Sequence, residues 1–170
     1  MKWTSHKVLT GSFIFLCTGN FLSATVALVG SVFPDLVEGV PSNSTSYRKR
    51  HRQFSHWFVP YLVFVIFTFI LGIKLNSLFV DPEIVIAYLF NDYKLSYLSY
   101  IGFYFFLGSI LHVVQDSFFF FLPSLNLRKR FGVSFFKVGS IEEYLIVFIL
   151  AMLLIIASKI LVSCKMKLNS

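Results

Sequence analysis

The stretch Leu111-His112-Val113-Val114-Gln115-Asp116-Ser117 constrains this chain more than any other. It sits in a run from Leu95 to Pro123 that holds no other charged or imidazole side chain. In a segment that spans a bilayer, an aspartate near the middle costs roughly 2.5–3.5 kcal/mol on insertion scales, so it persists where it has a partner or a task. His112 and Asp116 are four positions apart. On a helix that spacing sets both side chains on one face, one turn from each other, able to hold the same cation.

The chain around this pair has a membrane protein's composition. Of its 170 residues 56% are hydrophobic and 19% aromatic, with a mean hydropathy of +0.76, well beyond an ordinary soluble domain. A chain of this length makes one compact unit, residues 1–170. No alternation of about ten residues repeats as a membrane barrel requires, so the fold class is all-α, a polytopic membrane helical bundle. The net charge of +7 then signals cytoplasmic loops rich in Lys and Arg rather than a nucleic-acid surface. Cys17 and Cys164 lie near opposite ends in apolar surroundings, without metal-type spacing, and read as lipid- or core-facing residues.

The apolar spans are expected over residues 57–79, 95–122 and 144–162, with residues 84–90 as a short apolar piece at the interface. The first segment, residues 7–33, is open to three readings. Small Thr25 and Ala27 would suit a cleaved signal peptide. As one straight helix, the segment would carry His6 and Asp35 about 44 Å apart, beyond the roughly 30 Å hydrocarbon core and so on opposite sides. With a turn at Thr18-Gly19-Asn20, it becomes a hairpin whose ends return to one face.

The positive-inside rule favours the hairpin. A single crossing leaves eight basic residues on one face (Arg48, Lys49, Arg50, Arg52, Arg128, Lys129, Arg130, Lys137) against five on the other (Lys2, Lys7, Lys94, Lys165, Lys167), whereas the hairpin gives ten against three. The hairpin also brings all four histidines, His6, His51, His56 and His112, to the half that contains Asp35, Asp116 and Glu142. Imidazole nitrogens with carboxylate oxygens are a ligand set for zinc, or for manganese or iron. In the basic loop 38–56, Arg48, Lys49 and Arg50 read as a topology signal. Arg52, between two histidines, is the candidate phosphate clamp through its fork of donors.

Taken in order, His6, Pro34-Asp35, His51-Arg52-Gln53-Phe54-Ser55-His56, His112-Val113-Val114-Gln115-Asp116 and Gly139-Ser140-Ile141-Glu142 resemble the YdjM-type family of membrane-bound metal-dependent hydrolases. That family is distantly similar to the zinc-dependent phospholipase C and single-strand nuclease superfamily. The resemblance implies a metal site made by His6, Asp35, His51, His56, His112 and Asp116, with phosphoester hydrolysis as the inherited chemistry. It also implies a place in a bacterial inner membrane. The chain departs from the pattern at Val37, where a second acid is usual and Glu38 follows instead, and at Gln53 and Trp57. The first departure leaves room for a second metal only where Glu38 substitutes.

The expectation is therefore a multi-pass, membrane-embedded, divalent-metal hydrolase acting on a phosphoester in a lipid or other amphiphile. Asp116, Asp35 and Arg52 would carry the chemistry, and Glu142 or Glu143 would stand further out, with Glu143 better explained by the start of a helix. The alternative is a membrane protein that binds metal without turnover, as a staple, a sensor or a partner-binding subunit. A third reading, a proton relay or transporter through His112 and Asp116, needs a polar path through both leaflets. The histidine and acidic side chains inside the spans sit on one side only.

Overall fold

The structure, a computed structural model, describes residues 2–39, 54–76, 94–118, 122–123, 130–133 and 137–168. Its elements are α1 (Trp3–Thr18), α2 (Phe21–Gly30), α3 (Phe33–Glu38), α4 (Phe58–Lys74), α5 (Lys94–Ser117), β1 (Leu122–Pro123), β2 (Arg130–Phe131) and α6 (Ile141–Leu168). Three helical stretches are long and apolar enough to cross a membrane, Phe21–Glu38, Leu95–Ser117 and Ile141–Ile160. The apolar α4, with 17 residues, is shorter.

Thr18, Gly19 and Asn20 separate α1 from α2 by local chemistry. Gly19 takes a left-handed backbone, φ 65°, open to glycine at no steric cost. Asn20 Oδ1 then accepts from Leu22 N–H at 2.8 Å and Ser23 N–H at 3.3 Å, capping α2. At the far ends of these arms, Trp3 Nε1–H donates to Asp35 Oδ2 at 2.7 Å.

The α2–α3 break lies just before Asp35 and has one cause. Pro34 has no N–H, so the carbonyl four residues back, Gly30, loses its helical donor. Ser109 Oγ–H of α5 takes that carbonyl instead, at 2.9 Å. The two helices touch backbone to backbone here. A Cβ on Gly108 would meet Ala27 O at 2.0 Å, and one on Gly30 would meet Phe105 O at 1.9 Å. Small residues at such a crossing let helices pack closely without a hydrophobic drive between them.

The long helix α5 is the hub, packing on α1, α2, α3 and α4, while α6 packs on α1. Ile14, Ala24, Ala27, Tyr100 and Tyr104 form one buried cluster, and Tyr61 with Val113 a second. Several boundaries differ from the sequence expectation. The second span ends at Lys74, with Leu75 and Asn76 in a turn, and residues 77–79 and 84–90 lie outside those described. The third ends at Ser117 rather than at 122. Leu122–Pro123 is instead extended and pairs antiparallel with Arg130–Phe131, because proline disfavours helix both at itself and at the residue before it. The fourth begins at Ile141, three residues early. There Ser140 is the N-cap, Glu143 N–H reaching its Oγ at 3.4 Å, while Glu143 Oε2 accepts from Gly139 N–H, one residue before the cap, at 2.7 Å.

Candidate metal centre

Five of the expected residues meet at one end of the bundle. His6 lies in the first turns of α1, Asp35 in the first turn of α3, His56 in the turn before α4, and His112 and Asp116 near the end of α5. His6, His56, His112 and Asp116 are fully buried, and Asp35 keeps 14% of its side chain exposed. His51 and Arg52 lie outside the described residues.

The facing atoms are the chemically informative ones. His56 Nε2 and His112 Nε2 stand 3.1 Å apart. Asp35 Oδ1 is 3.4 Å from the first and 3.6 Å from the second, and Asp116 Oδ2 is 3.4 and 3.9 Å from them. On its other side, Asp116 Oδ1 is 3.1 Å from His6 Nε2, and the His6 ring stacks on His112 with centroids 3.9 Å apart. Zinc bonds of about 2.0–2.1 Å in a tetrahedron imply ligand-to-ligand edges of about 3.3–3.4 Å. The observed separations bracket that figure, so the donor set fits a small divalent cation. Two groups of three could hold one, His6 with His112 and Asp116, and Asp35 with His56 and His112.

The outward-facing atoms of His6, His56 and Asp35 are tethered, while His112 Nδ1 has no hydrogen-bond partner among the described residues. His6 Nδ1–H donates to Gln115 Oε1 at 2.8 Å, and Gln115 Nε2–H in turn donates to Thr10 Oγ1 at 3.1 Å. His56 Nδ1–H donates to Glu38 Oε1 at 3.2 Å, and Glu38 also accepts from Ser55 Oγ–H. Trp3 holds Asp35 Oδ2. Such partners choose the tautomer that presents Nε2 to the centre and raise its basicity. Tyr61 O–H donates to Ser55 O at 2.5 Å, fastening the turn that bears His56 to α4. On His56 burial alone would lower the imidazole, but hydrogen bonds with Asp116, Asp35 and Glu38 outweigh it and push the group up to about 10 from an ordinary 6.5.

A family model described as YdjM inner membrane protein matches residues 1–166. This chain belongs to the YdjM inner membrane protein family. No curated protein and no solved structure matches it. Within this YdjM-family chain the residues that sequence reasoning missed are the tethers. Glu38, raised as a stand-in for the family's second acid, makes its hydrogen bonds to Ser55 and His56. Glu142 is exposed, and Cys17 is exposed and free. Glu143 is fully buried, a far larger role than a favourable charge at a helix start. Its signal was legible as Ser140-x-x-Glu143 before an apolar run.

Proposed function

We propose that this YdjM-family chain is a membrane-embedded, metal-dependent hydrolase of phosphoesters in lipids or other amphiphiles, in the cytoplasmic half of a bacterial inner membrane. The observation that carries the reading is the convergence of His56 Nε2, His112 Nε2, Asp35 Oδ1 and Asp116 Oδ2 within 3.1 to 3.9 Å. Buried charges and imidazoles so placed are costly unless a task uses them. His6, His112 and Asp116, one of the two groups of three, would hold the cation, with zinc favoured by the nitrogen-rich set and manganese or iron as substitutes.

When bound, such a cation supplies Lewis acidity at phosphorus and lowers the pKa of water beside it. The chain's residues do the rest. Asp116, closed in between His6 and His56, binds. Asp35, the one described member that is not fully buried, receives the proton of the attacking water and is aimed by Trp3. Arg52 offsets charge on the phosphoryl oxygens. The bond between Trp3 and Asp35 supports α1 with α2–α3 as a hairpin that enters and leaves on the cytoplasmic face, and the amphiphile would approach Asp35 there.

One observation favours a second reading, metal binding without turnover. With Val37 at the second acidic position, Glu38 is turned to His56. The deciding experiment is elemental analysis of detergent-purified protein, wild type beside His112→Ala and Asp116→Ala, followed by assay on a phosphodiester lipid. Stoichiometric metal lost in both variants, with metal-dependent turnover in wild type, supports the hydrolase. Metal without turnover supports the binding protein, and a folded, metal-free wild type sinks both.

A further inference from the structure

Glu143 is a fully buried carboxylate away from the candidate centre. One of its oxygens serves its own helix and the other serves α1. Oε2 accepts from Gly139 N–H at 2.7 Å. Oε1 accepts from Lys2 N–H at 2.8 Å and from Ser5 Oγ–H at 2.6 Å. One carboxylate thus caps two helix N-termini, whose dipoles both favour its charge. The N-cap of α1, Lys2, supplies no side-chain cap of its own.

This cap is connected to His6 by two short routes. His6 N–H donates to Lys2 O at 3.1 Å, so the residue whose amide Glu143 holds also anchors the His6 backbone. Ser5 precedes His6, and successive side chains on a helix point about 100° apart. Pinning the Ser5 hydroxyl towards α6 therefore sets the angle at which His6 reaches α5. Helix α6 packs on α1, and Glu143 bonds it to the start of that helix at Lys2 and Ser5.

We propose that Glu143 is a positioning residue for the metal centre, fixing the first turn of α1 so that His6 Nε2 meets Asp116. The proposal depends on the metal reading above. Its test uses Co²⁺ on the full chain in detergent, reading affinity and visible absorption, which reports ligand number. The variants are Glu143→Gln, Ser5→Ala, His6→Ala and the His6→Ala/Glu143→Gln double variant. In Glu143→Gln the amide keeps one acceptor but sets a donor against backbone N–H groups. The expected result is an affinity about tenfold weaker, at the low end for partners that orient a ligand, with a spectrum shifted towards that of His6→Ala. Ser5→Ala moves both readouts the same way by less. In the His6→Ala background, where Asp35, His56 and His112 remain as a group, Glu143→Gln has no further effect.

A purely structural role predicts equal losses with and without His6, and that outcome overturns the proposal, as does a folded Glu143→Gln with unchanged affinity and spectrum. If Glu143→Gln does not fold, Ser5→Ala carries the same comparison against His6→Ala. Wild type that binds no Co²⁺ overturns the metal reading and this proposal together. That failure is distinct from a wild type that binds while Glu143 has no effect.

Discussion

At the scale of single residues, three side chains of the centre are held from behind. Gln115 orients His6, Glu38 orients His56 and Trp3 orients Asp35. Gln115→Met keeps the length of the side chain and removes both its hydrogen bonds. We expect metal affinity to fall about 10- to 100-fold, with Gln115→Glu retaining most of it because the acceptor for His6 Nδ1–H survives. Equal losses in both variants would assign Gln115 to packing. Protons compete for the same nitrogens. In metal-free protein, His56 stabilises the fold in full below about pH 6.5, and the contribution is lost as pH rises through about 10. A cation replaces the Nε2 proton, so its affinity should climb with pH, by about tenfold per unit where one proton is released. Calorimetry at pH 6, 7 and 8 in buffers of different ionisation enthalpy checks this, and a flat affinity would show that no proton is displaced. His112 and Asp116 were legible from residue type and spacing, because His112-x-x-x-Asp116 is a local pattern on one helix, whereas His6, Asp35 and His56 joined them only through the hairpin topology and the family resemblance. The tethers were not. Gln115 reaches His6 from 109 residues away and Trp3 reaches Asp35 across 32, separations at which no local periodicity reports a contact.

At the scale of elements, what aligns the ligands is the crossing of α2 on α5. Gly108 stands one turn before His112, and Gly30 shortly before Asp35, so the crossing sets the distance between two of the candidate ligands. In Gly108→Ala the new Cβ must displace the Ala27 carbonyl, a backbone atom. We expect a loss of about 1–3 kcal/mol from overpacking and weakened metal binding through a displaced Asp35. Gly102→Ala is the control, since its Cβ meets side-chain atoms of Thr68, Cγ2 at 2.9 Å, rather than backbone, and chemical denaturation in detergent with metal analysis separates the two. The longer helical segments were legible in the apolar runs, though the short α3 was not, and so was the turn at Thr18-Gly19-Asn20, where three helix-breaking residues interrupt an apolar stretch. The ends of the helices were less so. Hydropathy continues through Phe118 to Leu122 while the backbone leaves the helix at Ser117, and it begins after Glu143 while the helix starts at Ile141, since caps and proline set those limits.

At the scale of the whole molecule, the arrangement makes a definite demand on orientation. If α1 with α2–α3 re-enters, Thr4 and Ser44 share the cytoplasmic side and Ser170 faces the other. Single cysteines at these positions, in a chain whose Cys17 and Cys164 are replaced by Ser, should show Ser170 alone labelled by an impermeant thiol reagent in spheroplasts. Labelling of both Thr4 and Ser170 sites would instead give α1 through α3 as one crossing. The composition made the membrane class legible, but the pairing of helices was not, because lipid-facing and helix-facing surfaces are equally apolar and the choice falls to small residues and hydrogen bonds.

Glu143 also ties the chain to the order in which it is made. The bond from Lys2 N–H to Glu143 Oε1 closes a loop of 141 positions. At a synthesis rate of about 5–20 residues per second, the first turn of α1 waits on the order of ten seconds for the carboxylate that caps it. For most of that interval Asp116 has not yet been made. Nascent α1 therefore passes through translation as a helix start without its cap, and the centre matures only once the start of α6 has been inserted beside it.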